Sequence, residues 1–226
     1  KGCLPFLICI GLLCVAGLPL LLTEPYIQSN QDKPTFGVVS FALVAPLLAF
    51  ACFIVAFQDL AITSLMPVYG LRIGMTESNA TLMLFFGIAG GALLQFPIGW
   101  AADHFDPRNV LKTCALAGFI GALIWPFVVL SPFLLWITLF LWWGFFSGVT
   151  TVAMILAGYW FRGAELATAM AAFGVFWGMG AFVGPLTAGA MMELWDPHGL
   201  PLTIVVTAGI FFMITLFPKF YRLSQE

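Results

Sequence analysis

Long apolar runs separated by short polar breaks are the dominant pattern along this chain. Seven runs are long enough for a helix to cross the hydrocarbon core of a bilayer, which needs about 20 residues. They cover roughly residues 4–22, 43–70, 80–101, 110–130, 133–157, 167–192 and 200–218. These runs are too long and too continuously apolar for barrel strands, and lipid does not tolerate unpaired backbone groups. The pattern therefore predicts an all-α membrane protein with seven transmembrane helices.

Composition narrows the classes of function. The chain is 62% hydrophobic and 8% charged, with a mean hydropathy of +1.07, whereas a soluble domain carries roughly a quarter charged residues. A soluble protein is thereby excluded. The net charge of −2 and the lack of a basic run exclude nucleic acid as a partner. The five cysteines form no CxxC pair, so we interpret them as small hydrophobic residues and predict no disulfide framework, metal site or cofactor.

Lysine and arginine set the expected orientation, because cytoplasmic loops carry an excess of them. With the C-terminus inside, only Lys1 and Arg72 lie outside. Six basic residues then lie on the cytoplasmic side: Lys33, Arg108, Lys112, Arg162, Lys219 and Arg222. The reverse topology would invert this ratio. We expect a multi-pass protein of the bacterial inner (cytoplasmic) membrane with its C-terminus in the cytoplasm.

The first apolar run is interpreted as an internal helix and not as a signal peptide. No small-residue cleavage site follows it, because it ends in TEPY, and the sequence begins with Lys instead of Met. A first helix with its N-terminus outside also needs a preceding segment to place it there. We expect this run to be part of a longer protein.

A charged cluster interrupts the apolar pattern in QFPIGWAADHFDPR, residues 95–108. It resembles the loop signature of the major facilitator superfamily, G-x-x-x-D-[RK]-x-G-[RK]-[RK]. Gly99 and Asp103 match at the right spacing, and Arg108 stands at the last basic position. Three positions depart from the signature: His104, Asp106 and Pro107. The stretches FRGAELATAMAAF and GAFVGPLTAG, residues 161–173 and 180–189, resemble the approach to the family's eleventh helix and its glycine-proline pattern.

This resemblance implies the C-terminal half of a facilitator bundle, built from 3+3 inverted repeats and preceded by one helix of the N-terminal half. Residues 1–23 would be the last helix of the N-terminal bundle. Residues 24–40 would be the cytoplasmic linker between the bundles, and residues 41–226 the C-terminal six-helix bundle. The family places its signature loop on the cytoplasmic side, where the charge count also places it.

The signature residues predict a cytoplasmic gate. Gly99 permits a close approach of two helices. Asp103 can accept hydrogen bonds from the free N–H groups where a neighbouring helix begins, near Ala164, with Arg108 and Arg162 as further partners. Such a contact would act as a latch between conformations; the alternative is a solvated polar loop. A metal site built from this cluster is disfavoured, because it offers one imidazole and two carboxylates that face different ways.

Helix packing and bending are predicted from glycine and proline. Gly180 and Gly184 have the small-xxx-small spacing that allows close contact between helix backbones. Pro185 removes a backbone donor and bends its helix, and Pro67 gives the second span a hinge near its outer end. Glu193, Asp196 and His198, which follow the sixth span, form an acidic outer loop that is expected to be solvated.

Asp59 is the strongest candidate for a functional side chain, because an ionisable group in the middle of a span is costly unless it faces a cavity or a partner. With its neighbour Gln58 it predicts a substrate contact or a proton-coupling carboxylate. The alternative is a protonated carboxyl hydrogen-bonded inside the bundle. Gln95 is either a second cavity residue or a helix-to-helix hydrogen bond, and Trp177 lies deep enough to line a cavity.

These features favour secondary active transport of a small solute by alternating access, with protons as a candidate coupling ion. The alternative is a transporter-derived structural or accessory subunit of a larger membrane complex, because six C-terminal helices supply half of a cavity. A half-transporter that dimerises is disfavoured, because the additional first helix makes seven helices, which do not pair symmetrically into this fold. The sequence contains no nucleophile–base pair or phosphate-binding loop, so we do not predict an enzyme. The expected partners are the substrate, the bilayer and either the missing N-terminal half or a larger complex.

Overall fold

The computed structural model describes residues 10–11, 14–15, 34–129 and 131–217. The chain divides into two compact units, residues 1–31 and 32–226. In the first unit the four described residues are helical. The predicted helix over residues 4–22 and the linker residues before 34 thus lie largely outside the described residues.

The second unit is helical. Its described residues form a short helix, α1 (Phe41–Val44), and six long ones: α2 (Pro46–Arg72), α3 (Glu77–His104), α4 (Pro107–Val128), α5 (Pro132–Trp160), α6 (Gly163–Leu194) and α7 (Gly199–Leu216). All six long helices have the length and apolar composition of membrane spans. Six of the seven predicted spans are therefore confirmed, and the chain is an all-α, multi-pass integral membrane protein.

Local capping sets the ends of the long helices beyond the limits of the apolar runs. The Thr76 hydroxyl accepts a hydrogen bond from the Asn79 N–H at 3.4 Å, so α3 begins three residues before the predicted span. The Asp106 carboxylate accepts one from the Arg108 N–H at 2.9 Å, and Pro107 occupies the first turn of α4. Gly74 has a φ of 84°, which allows the tight turn between α2 and α3.

Two helix crossings hold the bundle together, α2 with α6 and α3 with α5. A Cβ atom at Gly180 or Gly184 of α6 would come closer than 3.0 Å to the carbonyl oxygen of Phe53 or Phe57 in α2. At the other crossing, a Cβ atom at Gly144 of α5 would come equally close to the carbonyl oxygen of Gly90 in α3. Backbone contacts backbone at both crossings, as small residues permit in membrane helices.

The crossings follow the predicted 3+3 repeat. The two groups of three are α2 to α4 and α5 to α7. The first helix of each group packs against the second helix of the other, α2 against α6 and α5 against α3. α2 and α5 are central, with 67% and 56% of their most apolar segments buried, whereas α3 and α6 are peripheral, with 28% and 22%. The long helices therefore pack as two interlocking groups of three.

The bundle has two distinguishable ends. At the motif end, which contains the α3–α4 loop and the start of α6, the Thr35 hydroxyl donates a hydrogen bond to Glu165 Oε1 at 2.6 Å. Phe36 packs there against Phe41 and Phe161, with ring centroids 6.0 and 5.2 Å away. The residues immediately before α1 are thereby attached to the start of α6.

At the opposite end, the Arg72 end, the acidic loop has a basic partner. The Arg72 guanidinium contacts Asp196 Oδ1 at 2.7 Å and Glu193 Oε1 at 3.0 Å. Both acidic side chains are exposed, as predicted for a solvated loop, and the sequence did not predict their pairing with Arg72. Arg72 ends α2 thirteen residues after its midpoint, and because α2 and α6 run parallel it lies level with the end of α6, a proximity that sequence distance conceals.

Candidate functional site

An open cavity of about 780 Å³ lies between α2, α3, α5 and α6. Its lining combines one carboxylate, several hydroxyl and amide groups, and two indole rings. The lining residues are Val55, Asp59, Thr63, Ile88, Gly91, Ala92, Gln95, Trp143, Ser147, Thr150, Thr151, Met154 and Trp177. A volume of this size suits a small organic ligand.

Asp59 lies at the centre of α2, thirteen residues from either end of the helix. That places it about 20 Å along the helix axis from each end, at the rise of an α-helix. Val55, Asp59 and Thr63 follow one another at intervals of four residues, so they share one face of α2, which lines the cavity. The carboxylate is half-buried and Oδ1 accepts a hydrogen bond from Trp143 Nε1 at 3.1 Å.

α5 provides the opposite polar wall. Trp143, Ser147, Thr150, Thr151 and Met154 recur at helical spacing and line the cavity. The Ser147 hydroxyl donates to the Gly144 carbonyl at 3.1 Å. Thr150 is 9% exposed, and its hydroxyl oxygen is buried without a hydrogen-bond partner among the described residues. This wall was not predicted from the sequence, where its signal is a helical stripe of hydroxyl groups in an apolar run.

Glycines of α3 make room for the indole that binds Asp59. A Cβ atom at Gly87 would come closer than 3.0 Å to the six-membered ring of Trp143, whereas one at Gly91 would lie 3.6 Å from its five-membered ring. Trp143 itself is 5% exposed. The missing side chain of Gly87 therefore determines where the indole N–H lies, and through it where the Asp59 carboxylate is held.

Gln58 and Gln95 occupy different environments. Gln58 is fully buried, and its Nε2 donates to the Thr207 hydroxyl at 2.8 Å and to the Ile204 carbonyl at 3.2 Å. It joins α2 to α7 and does not line the cavity, because one residue along a helix turns the side chain by about 100°. Gln95 is exposed and lines the cavity with Asp59. Trp177 also lines it, as predicted.

Asp59 is the one ionisable side chain among the lining residues that the structure describes. The described basic residues lie at helix ends: Arg72 ends α2, Arg108 and Lys112 begin α4, and Arg162 precedes α6. No three side chains of His, Cys, Asp or Glu converge as a metal site in the described ranges.

The signature residues lie together at the motif end. Gly99 and Asp103 are in the last turns of α3, and Arg108 is in the first turn of α4. A Cβ atom at Gly99 would meet nothing within 4 Å. Between residues 34 and 217, leaving aside residue 130, no ion pair joins Asp103 to Arg162. The gate role of these four residues stays a prediction.

The candidate hinges are placed within helices. Pro67 lies inside α2 and Pro185 inside α6, and both are half-buried. Gly180 and Gly184 form the close contact with α2. Two further prolines, Pro97 in α3 and Pro126 in α4, also interrupt helices. These prolines each remove one backbone hydrogen bond from their helix.

Comparison with known proteins gives a consistent picture. The family model described as Major Facilitator Superfamily matches residues 4–150 and 48–225. The "Uncharacterized MFS-type transporter YfkF" of Bacillus subtilis (strain 168) is 25% identical over 194 residues, which are 84% of this chain and 45% of that protein.

A second relative is the "Uncharacterized MFS-type transporter YcaD" of Escherichia fergusonii, which is 29% identical over 114 residues. These residues are 49% of this chain and 30% of that protein. The chain spans less than half the length of the curated relatives that it matches.

Proposed function

Because the chain belongs to the major facilitator superfamily, we propose that it is part of a secondary active transporter that moves a small solute by alternating access. The observation that carries this proposal is the cavity centred on Asp59, with polar walls from α2 and α5. A site near the membrane midplane, reached in turn from either side, is what such a mechanism requires. Membership of a transporter family also implies a non-enzymatic activity.

Asp59 is proposed as the residue at which proton or substrate binding is coupled to the conformational change. A carboxylate has several acceptor positions, and the bond from Trp143 at 3.1 Å occupies one of them. The remaining positions can hold a proton or a substrate group. Since a protonated and an ionised carboxyl place different charges in a low-dielectric site, a proton on Asp59 changes the relative stability of the two conformations.

Gate and hinge roles follow from position. Gly99, Asp103, Arg108 and Arg162 would form the cytoplasmic gate at the motif end, where the loop between α3 and α4 lies beside the start of α6. Pro67 and Pro185 would bend α2 and α6 as the cavity opens. In this arrangement the rigid crossing of α2 and α6 moves as a pair, because their backbones are in contact.

We also propose where the protein lies and which segment completes its cavity. The protein would lie in the bacterial inner membrane with its C-terminus in the cytoplasm, and the other wall of its cavity would come from an N-terminal bundle. The accessory-subunit alternative has less support, because a structural subunit does not need a central carboxylate in a polar-lined cavity. Its test is stable co-purification with a larger membrane complex.

The test of alternating access needs no substrate. Ser147→Cys would be placed in the full-length protein with its native cysteines replaced, and labelled with a membrane-impermeant thiol reagent in right-side-out and inverted vesicles. Ser147 lines the cavity, so we expect labelling from both sides. Ser78→Cys, on the exposed first turn of α3, is the control and should react from one side.

Two results would contradict the proposal. The first is labelling of the Ser147→Cys thiol from one side under every condition, and the second is labelling from neither. Asp59→Asn in the same background tests the coupling role. It should make the ratio of labelling from the two sides independent of pH between about 5 and 8, a range in which wild-type coupling would change it.

A further inference from the structure

We propose that the cavity accepts an organic cation with apolar substituents, and that the Asp59 carboxylate is its counter-charge. The inference rests on the proposed function, because it identifies the substrate class of the same site. The inference also goes beyond the proposed function, since alternating access requires no particular charge on the substrate. Three independent features of the lining carry it.

The first feature is the balance of charge. Among the described lining residues Asp59 supplies the one charge, and its hydrogen-bond partner in the cavity is the neutral indole of Trp143. A carboxylate in a low-dielectric site is costly when no cation faces it. A cationic ligand removes this cost, whereas an anionic ligand adds like-charge repulsion. The site therefore discriminates by the sign of the ligand's charge.

The second feature is the aromatic surface. Trp143 and Trp177 line the same cavity as Asp59, from α5 and α6 respectively. The face of an indole ring is the strongest natural site for cation–π attraction, and this attraction grows when the cation is desolvated. Ile88 and Met154 complete the lining with apolar and polarisable surface suited to hydrocarbon substituents.

The third feature is the size of the cavity, which favours an organic cation over a metal ion. Binding of a divalent metal needs several oxygen, nitrogen or sulfur ligands arranged within about 2–2.6 Å of one point. The lining offers a single carboxylate in about 780 Å³. Gln95, which is exposed in the lining, supplies an amide acceptor for a donor group on a large ligand.

The test uses two probes of the same shape and opposite charge. Tetraphenylphosphonium and tetraphenylborate would be titrated against the purified full-length protein in nanodiscs, with equilibrium binding measured by displacement of labelled probe. We expect saturable binding of tetraphenylphosphonium at one site and no displacement by tetraphenylborate. Asp59→Asn should weaken tetraphenylphosphonium binding about 10-fold or more, as loss of a charged partner does.

Matched variants keep this test independent of folding. Glu77→Gln removes a carboxylate from the exposed first turn of α3, outside the lining, and should leave binding unchanged. Asp59→Glu should retain binding, and Trp177→Leu should weaken it several-fold. Equal binding to wild type and a folded Asp59→Asn, or equal binding of both probes, would overturn the inference, as would lack of tetraphenylphosphonium binding to the wild-type protein.

The binding and labelling experiments test the two proposals independently. Binding is an equilibrium measurement that needs no movement, whereas the labelling of Ser147→Cys needs no ligand. Charge-selective binding with labelling from one side alone would contradict alternating access and leave the ligand class supported. Labelling from both sides without charge selectivity would leave transport supported and overturn the organic cation.

Discussion

Trp143 on α5 donates its indole N–H to the Asp59 carboxylate on α2, with 3.1 Å between Nε1 and Oδ1. This bond joins the two most buried helices of the bundle at the level of the cavity. It also fixes the direction of the one charged side chain among the described lining residues of the cavity. The residues that position Trp143 therefore control the site from outside it.

Trp143→Phe removes the N–H donor and keeps most of the ring. We expect it to lower the free energy of unfolding by about 1.5–3 kcal/mol if Asp59 is ionised, the usual range for a hydrogen bond to a charged group. Trp142→Phe is the control, because the buried Trp142 N–H has no partner among the described residues. Thermal unfolding of the purified variants measures both. Equal destabilisation would show that the bond to Asp59 contributes nothing.

Gly87→Ala and Gly91→Ala form a matched pair one turn apart on α3. An added methyl group at Gly87 would collide with the Trp143 ring, so we expect a loss of about 1–3 kcal/mol and a displaced indole. At Gly91 the nearest atom would be 3.5 Å away, an ordinary contact. The Gly91 variant should be neutral or slightly more stable, because alanine favours a helix over glycine by roughly 0.5–1 kcal/mol. Unfolding and tryptophan fluorescence read out the two effects.

Gly184→Ala tests the crossing of α2 and α6. The added methyl group would approach the backbone carbonyl of Phe57, which cannot rotate away as a side chain can, so we expect a loss of about 2 kcal/mol or more. Gly178→Ala, on the open side of the same helix, should not destabilise, since nothing lies within 4 Å. If both variants melt at the same temperature, the close contact does not hold the helices together.

Arg72→Gln tests the ion pairs at the Arg72 end. Both acidic partners are exposed, so we expect a small loss of stability in low salt that disappears at high salt. Arg162→Gln removes a cation that forms no ion pair within the described part of the chain and serves as the control. A salt-independent loss would indicate that the bond from Arg72 to the Met192 carbonyl, at 3.5 Å, matters more than charge.

The six spans could be predicted because bilayer thickness dictates a length that few soluble helices match. Their ends could not, since capping by Thr76 and Asp106 extends or starts helices outside the apolar runs. Asp59 was accessible to prediction as a charge in the middle of a span. Gln58, its neighbour, was grouped with it, yet helical geometry turns it toward α7.

The hydroxyl stripe of α5 is visible in the sequence, but it does not by itself identify a cavity wall. Ser147, Thr150 and Thr151 are weakly polar, and threonine and serine are common at helix contacts in membranes, where they bond to their own backbone. Only the packing of α5 against α3 and α2 shows which face of the helix remains open. The gate motif was recognisable from spacing, while its proposed contacts depend on a second conformation.

In α5, helix packing and cavity lining are carried by different residues. Gly144 and Gly148 lie against Leu94 and Ile98 of α3 and set the distance between backbones, while Ser147 and Thr151 face the cavity from the adjoining positions. Variation at the lining positions can therefore change the preferred ligand without altering how the helices fit. A library randomised at Ser147, Thr150, Thr151 and Met154, with the glycines untouched, would explore new specificities on an unchanged scaffold.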